Sequence, residues 1–122
     1  MQNQAEFLLV QTSCPDKVSA MALARRIIEG KVAACVNVLP DVTSVYEWKE
    51  EVKTDSETLL LIKTTKNQYA GLQALICEKH PYELPEVIAV PICEGLPDFL
   101  TWVSEAAAPV THAVFESKQK KV

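Results

Sequence analysis

The sequence predicts one α+β domain whose strands and helices follow the order β-α-β-β-α-β, with a short helix at the C-terminal end. The chain has 122 residues, the usual size of a single domain, so residues 1–122 are taken as one unit. Its hydrophobic fraction of 48% is enough for one core. Short apolar runs that suit strands alternate with apolar stripes at helical spacing, and this alternation predicts the order of the elements.

The first strand and the first helix are predicted from the segment that ends at Gly30. Residues Ala5–Thr12 have the apolar character of a buried strand, and Ser13–Asp16 has the residue types of a turn. Asp16 is a favourable N-cap for the helix that follows, and Gly30 is placed to end that helix. The helix has one apolar face, formed by Ala20, Leu23, Ala24, Ile27 and Ile28.

The middle of the chain predicts two long strands joined by a charged hairpin. Residues Val32–Leu39 are rich in small and β-branched side chains, and the strand continues over Val42–Trp48 after an interruption at Pro40-Asp41. The charged segment Glu50–Asp55 is predicted as the hairpin tip or its approach. The third strand has its centre at Leu59–Ile62.

A second helix, a fourth strand and a last helix complete the pattern. Asn67 is a candidate N-cap, and His80-Pro81 ends the second helix because the residue before a proline disfavours helical backbone. Val87–Val90 is the fourth strand, and Pro91 places it at a sheet edge since proline cannot donate to a ladder. Pro97–Trp102 is a short final helix. The second helix has an apolar face formed by Tyr69, Leu72, Leu75 and Ile76.

This order is the split βαβ, or ferredoxin-like, arrangement, in which both helices pack on one face of a four-stranded antiparallel sheet. If water covered the second face, apolar and polar residues would alternate along each strand. Three strand segments are instead apolar at every position: Phe7–Val10, Leu59–Ile62 and Val87–Val90. Exposing half of these side chains would cost on the order of 10 kcal/mol. We therefore predict that a second copy of the chain covers the open face, with the long hairpin as an arm that reaches a neighbour.

Composition argues against several function classes. The net charge of −4 does not suit a nucleic-acid surface. No signal-peptide or membrane-spanning pattern is visible, so we expect a soluble cytoplasmic protein with no membrane partner. The sequence has no Gly-rich phosphate loop, no nucleophile elbow and only two histidines for proton transfer, so we expect neither an enzyme nor a catalytic residue.

The segment His80–Glu86 concentrates the groups most able to bind a ligand. It brings an imidazole, a phenol and two carboxylates together in seven residues stiffened by two prolines, and Pro85 excludes a helical metal motif. Two interpretations stay open. The segment is either a metal or ligand site, or a rigid connection whose carboxylates are solvated.

Two further candidates are an aromatic pair and a cysteine. Tyr46 and Trp48 either bind a ligand or, as we favour, anchor an interface through their large amphipathic rings. Cys14 lies in a loop at a strand end, where a thiol could bind a soft metal. The four cysteines contain no CxxC pair, and the plainer interpretation of each is a small, reduced, buried side chain.

Several blocks of the sequence resemble the CutA divalent-cation-tolerance family. The resemblance implies a ferredoxin-like subunit in a tight homotrimer, with a role in tolerance of copper and other divalent metals. The blocks occur in family order between about Ala5 and Glu105. They are Lys31–Pro40, Thr43–Trp48, Leu61–Thr64, His80–Ile88, and Phe99-Leu100 with Trp102.

The resemblance also implies where ligands bind. The expected ion is Cu(II) or another divalent cation, but Gln11 and Lys79 stand at two of the family's three ligand positions. The candidate metal ligands are His80, Glu83, Glu86 and Cys14. The trimer also resembles the PII signalling proteins in shape, so a small-ligand sensor or scaffold is the alternative function. The residues expected in its pocket or at the subunit interface are Tyr46, Trp48, Lys63, Tyr82 and Trp102.

Overall fold

The computed structural model describes residues 6–108, and its elements follow the predicted order. Ala5, the predicted start of the first strand, lies outside the described residues, as does the tail from residue 109. None of the helices within this range is long and apolar enough to span a membrane. The strands are β1 (Phe7–Cys14), β2 (Cys35–Trp48), β3 (Glu51–Thr65) and β4 (Ile88–Pro91), and the helices are α1 (Lys17–Glu29), α2 (Lys66–Lys79) and α3 (Pro97–Ala106).

The four strands form one antiparallel sheet in the order β2-β3-β1-β4. Strand β1 lies between β3 and β4, so that Val10 pairs with Ile62 on one side and with Ala89 on the other. Strand β4 is at a sheet edge, as Pro91 predicted. The order of the elements and of the strands confirms the ferredoxin-like arrangement.

One face of the sheet is covered by α1 and α2, and the main core lies there. Val10 on β1 and Ile62 on β3 have no exposed surface and pack with Ile27 of α1 and Ile76 of α2. The apolar stripes predicted for both helices supply these contacts. Ile28 is the exception, because it is 41% exposed at the edge of its stripe.

The opposite face of the sheet, here called the open face, carries the alternate side chains of the same strands. The register places Leu9 beside Val90 and Gln11 beside both Leu61 and Ile88. Val90 and Ile88 are 49% and 51% exposed. Both faces are therefore apolar, as the uninterrupted runs predicted, and residues 6–108 of a single chain leave apolar surface on the open face.

Helix α1 has the predicted N-cap. The Asp16 carboxylate accepts a hydrogen bond from the Ser19 amide at 2.8 Å, which satisfies a free N–H of the first turn and lowers the pKa of this carboxyl. At the other end, Gly30 ends the helix with a right-handed backbone, and the positive φ of 60° falls on Lys31 instead.

Other boundaries differ from the predictions. Ser13 and Cys14 extend β1 instead of forming a turn, because both residues pair with β3 and the ladder outweighs their local turn preference. The N-cap of α2 is Thr65 rather than Asn67, since β3 runs directly into the helix. Smaller shifts are the starts of β2 at Cys35 and of β4 at Ile88 and the end of α3 at Ala106.

The hairpin of β2 and β3 is a long arm with a tight tip. The predicted interruption at Pro40-Asp41 is a bulge within one strand, where the register shifts and Asp41 has a φ of 65°. Lys49 and Glu50 form the tip with φ values of 53° and 69°, the backbone of a two-residue hairpin turn. Most of the charged segment Glu50–Asp55 is therefore the approach to the tip, within β3.

The cysteines fall into two groups. Cys14 is buried, in agreement with the prediction, whereas Cys35 is only half-buried. The prediction of burial was wrong for Cys77 and Cys93, which are exposed. Cys77 lies on the outer side of α2, one residue beyond the buried Ile76.

Candidate ligand cleft

A cleft of about 980 Å³ lies between the β2-β3 hairpin and residues 81–88. Its size is at the upper end of the range typical of small-molecule sites. The strand register places Ser13 and Glu57 on the open face of the sheet, so the cleft adjoins that face. The lining combines Tyr46, Trp48, Tyr82, Glu57, Glu83, Glu86, Val45, Leu84, Val87, Ile88, Ser13, Ser44, Pro81 and Pro85.

Glu57 is the most buried acid of the cleft, with 8% of its surface exposed. One oxygen of its carboxylate, Oε2, accepts a hydrogen bond of 2.6 Å from the Tyr82 hydroxyl. Burial raises the pKa of Tyr82, and the hydrogen bond to Glu57 raises it further. The phenol is therefore a neutral donor at physiological pH.

A second phenol and carboxylate pair stands on the hairpin arm. The Tyr46 hydroxyl donates a hydrogen bond to Asp55. This hydrogen bond is the main cause of a raised pKa for Tyr46. The cleft thus contains two tyrosines whose hydroxyls are already committed to acidic partners.

His80 is buried at the end of α2, and both of its ring nitrogens have backbone partners. Nε2 lies 2.7 Å from the Ser13 carbonyl oxygen, which can only accept, so Nε2 carries the proton. Nδ1 accepts a hydrogen bond of 3.1 Å from the Tyr82 amide. The ring is therefore a neutral imidazole without a free lone pair, and it ties the start of the segment 80–86 to β1.

Cys14 lies beside His80, with 3.9 Å between Sγ and Nε2. Burial, followed by the charges of Asp16 and Glu57, raises the pKa of its thiol to about 11. The thiolate form that binds metals is therefore disfavoured at neutral pH.

The four candidate metal ligands do not converge on one point in a single chain. Glu83 is exposed at the rim of the cleft, and Glu86 accepts a hydrogen bond of 2.7 Å from Gln11. Within residues 6–108, no group of three or more His, Cys, Asp or Glu side chains is arranged to hold a metal ion. In this conformation the residues do not fit a metal held by one subunit, and their role as ligands stays a prediction.

Two predicted pocket residues lie outside the cleft. Lys63 is on the open face of the sheet, where it donates to Asn37 and lies 4.0 Å from the Cys35 sulfur. Trp102 is on α3 and packs its ring 5.6 Å from that of Phe99. The predicted residues that line the cleft are Tyr46, Trp48, Tyr82, Glu83 and Glu86.

Sequence reasoning missed Glu57. A signal was present, because Glu57 alternates with Leu59 and Leu61 along β3 and so belongs to the open face. Its burial could not be anticipated in this way, since the residue that covers it, Tyr82, is 25 positions away in sequence.

The fold and the cleft define a small ferredoxin-like α+β protein with a ligand-sized site beside a sheet face that residues 6–108 leave partly exposed. Its sequence matches the profile of the CutA1 divalent ion tolerance protein over residues 8–106. The chain belongs to this family, as the sequence blocks predicted.

Two relatives indicate how far the likeness extends. The divalent-cation tolerance protein CutA of Thermus thermophilus is 40% identical over 97 residues, which cover 80% of this chain and 94% of that protein. Protein CutA of Mus musculus is 41% identical over 101 residues, 83% of this chain and 57% of the mouse protein. The chain thus spans less than two thirds of the mouse relative.

A solved structure shows the same architecture. CutA from Xylella fastidiosa superimposes with a TM-score of 0.83 at 38% sequence identity, covering 85% of this chain and 100% of the other. At this identity and score, the two chains share the fold over nearly the whole of the described range.

Proposed function

We propose that the protein acts in divalent-cation tolerance as a cytoplasmic homotrimer that responds to copper, without catalysing a reaction. The observation that supports the trimer is the open face of the sheet. Leu39, Ile88 and Val90 on this face are 37%, 51% and 49% exposed in a single chain. Neighbouring copies that cover them would remove this apolar surface from water.

The hairpin arm offers a second apolar surface. Val45 and Val52 on the arm are 67% and 77% exposed. An arm from one subunit that packs on a different surface of the next makes a head-to-tail contact, and such contacts form a ring when the rotation closes.

Light scattering after size-exclusion chromatography tests the trimer. We expect a mass of about three times the 13.5 kDa of the chain. Val90→Asp should shift the mass toward that of a monomer, because a carboxylate cannot be buried unpaired at an apolar interface. The matched control is Val18→Asp, since Val18 is 81% exposed on α1, away from the open face. A folded wild-type monomer would contradict the proposal.

The proposal includes direct binding of a divalent cation at a site completed by a second subunit. Glu83 and Glu86 lie at the cleft of each chain as exposed carboxylates. Because residues 6–108 of one chain do not bring three donors together, the remaining ligands would come from the neighbour. The site would then exist only in the assembled protein.

Isothermal titration of Cu²⁺ and Zn²⁺ tests this site. We expect Glu83→Gln and Glu86→Gln to weaken binding about tenfold or more, and Glu78→Gln, an exposed change on α2, to leave it unchanged. His80→Ala shows whether the imidazole leaves its backbone partners to bind the ion. Absence of micromolar binding by the wild type would rule out direct binding.

The alternative function is a PII-like trimeric sensor or scaffold for a small ligand. The volume of the cleft, about 980 Å³, favours this candidate because it exceeds what a bare ion needs. Native mass spectrometry after incubation with a metabolite mixture tests it. A retained organic molecule supports the sensor, whereas a trimer that retains metal alone supports the first function.

A further inference from the structure

Within residues 6–108, the lining of the cleft combines acidic side chains with aromatic walls and has no basic residue. Its lining includes three glutamates together with Tyr46, Trp48 and Tyr82. Neither lysine nor arginine occurs in the lining that residues 6–108 provide. The charge complementarity of this cleft therefore favours a cationic occupant.

Among the acids that line the cleft, Glu57 would gain most from a positively charged partner, because it is the most buried. It is 8% exposed, and its Oε2 accepts a hydrogen bond from the neutral Tyr82 hydroxyl. In the described part of the chain it has no ion pair. Burying a carboxylate without a counter-charge is costly, so a ligand that supplies one gains affinity.

The nearest lysines on the same face of β3 are turned to other partners. Lys53 is four residues from Glu57, roughly 13 Å along the strand, and pairs with Glu51 at 3.5 Å. Lys63 is six residues away in the other direction, roughly 20 Å, and donates to Asn37. Both distances exceed the reach of a direct ion pair with Glu57.

Within residues 6–108 of one chain, the cleft suits an organic cation better than a bare metal ion. A metal needs several converging donors, and no such group exists within residues 6–108. Aromatic faces, by contrast, attract ammonium groups. Trp48 already makes one cation–π contact, because the Lys49 ammonium lies 5.7 Å from its ring centroid.

We infer that the cleft binds a small organic cation, a primary amine or diamine, whose ammonium group pairs with Glu57 and whose carbon chain packs against the aromatic walls. The exposed Glu83 and Glu86 at the rim suit the second ammonium of a diamine. The inference rests on the small-ligand alternative of the proposed function and shares Glu83 and Glu86 with the proposed metal site. If putrescine does not bind, the trimer and metal binding still stand or fall by light scattering and metal titration.

Titration calorimetry of the full chain with putrescine tests the inference. The buffer must be amine-free, because an amine buffer would compete for the same site. The matched control ligand is 1,4-butanediol, which has the same carbon chain without charge. We expect putrescine to bind and the diol to show at least tenfold weaker binding.

Three substitutions locate the site. Glu57→Gln keeps the size of the side chain and an acceptor for Tyr82, and we expect it to weaken putrescine binding about tenfold or more because a charge-assisted hydrogen bond is lost. Trp48→Leu should weaken binding about two- to fivefold through loss of the cation–π contact. Glu78→Gln, remote on α2, should bind like the wild type.

A fluorescence measurement on a variant that retains Glu57 tests the inference even if Glu57→Gln does not fold. Trp102→Phe leaves Trp48 as the single tryptophan, and its emission should change on titration with putrescine but not with the diol. Equal binding of both ligands, no binding of either, or wild-type affinity in folded Glu57→Gln would overturn the inference. So would a cleft that takes up Cu²⁺ through Glu57 while refusing putrescine.

Discussion

Two side chains near the end of β1, those of His80 and Cys14, make structural contacts that limit their availability as ligands. His80 donates to the Ser13 carbonyl and accepts from the Tyr82 amide, so both ring nitrogens stabilise the backbone. Cys14 beside it is fully buried and remains a thiol. Two groups that the sequence suggested as metal ligands therefore act in the single chain as parts of the fold.

The loss of the imidazole is expected to destabilise the fold. His80→Ala leaves a buried carbonyl and an amide without partners, so we expect the free energy of unfolding to fall by about 1–3 kcal/mol. Urea denaturation measures it, with the neighbouring exposed Lys79→Ala as the control. An unchanged midpoint for His80→Ala would show that solvent replaces both hydrogen bonds.

The Cys14 thiol is expected to resist alkylation in the native protein. At pH 8, iodoacetamide should modify the exposed Cys77 and Cys93 first and reach Cys14 only after unfolding. Mass spectrometry of timed samples checks this order. Native labelling of Cys14 at the rate of Cys77 would mean that the end of β1 opens readily.

The same thiol predicts how stability depends on pH. The pKa of Cys14 is raised from 9.0 to about 11, so the folded state holds the proton more tightly than the unfolded state. Its contribution to stability is complete below pH 9 and is lost as the pH rises toward 11. Urea midpoints between pH 8 and 11 should fall less steeply in Cys14→Ala than in the wild type.

At the scale of elements, the hairpin arm is defined by two irregular points. A bulge at Asp41 bends β2, and the tip at Lys49 and Glu50 has positive φ at both positions. The tip carries the backbone of a favourable hairpin turn without the Asn-Gly sequence that best suits it. The arm is therefore held by its ladder of strand pairs more than by its turn.

A glycine at the tip is expected to stabilise the arm. Glu50→Gly removes the strain of a non-glycine residue with left-handed backbone, but it also increases the conformational entropy of the unfolded chain. Because the first effect is larger, we expect the free energy of unfolding to rise by about 0.5 kcal/mol. Thr54→Gly within β3, where φ is negative, should instead destabilise by about 0.5–1 kcal/mol. Urea denaturation of both variants measures the contrast, and equal destabilisation would show that the tip is not strained.

At the scale of the whole molecule, one sheet separates two different apolar surfaces. The face under α1 and α2 is closed within one chain, as the complete burial of Leu60 and Ile62 shows. The open face leaves Ile88 and Val90 half exposed and borders the cleft. The first surface is buried when a single chain folds, whereas burial of the second surface depends on what covers it.

These two surfaces predict different responses to protein concentration. Ile62→Ala should lower the free energy of unfolding by about 2–5 kcal/mol at every concentration, because it leaves a cavity in the closed core. The thermal midpoint of the wild type should rise with concentration if copies cover the open face, and this dependence should vanish in Val90→Asp. Calorimetry over a hundredfold concentration range measures both, and a wild-type midpoint independent of concentration would argue against an oligomer.

The sequence by itself determined the order of the elements and the two apolar sheet faces, because periodicity and helix-stop residues act over a few neighbouring positions. It also placed Tyr46, Trp48 and the segment from His80 to Glu86 among the candidates. The predicted strand boundaries were less accurate, since pairing with β3 holds Ser13 and Cys14 in strand β1 despite their preference for turns.

Only the tertiary structure decided what the candidate groups do. The bond of Tyr82 to Glu57 joins residues 25 positions apart, and that of His80 to Ser13 joins residues 67 apart. Such pairs form when the sheet and the helices have packed, and local sequence does not encode their distance or their protonation. The cleft with its buried carboxylate is therefore a property of the packed fold, whereas the apolar open face beside it was already visible in the sequence.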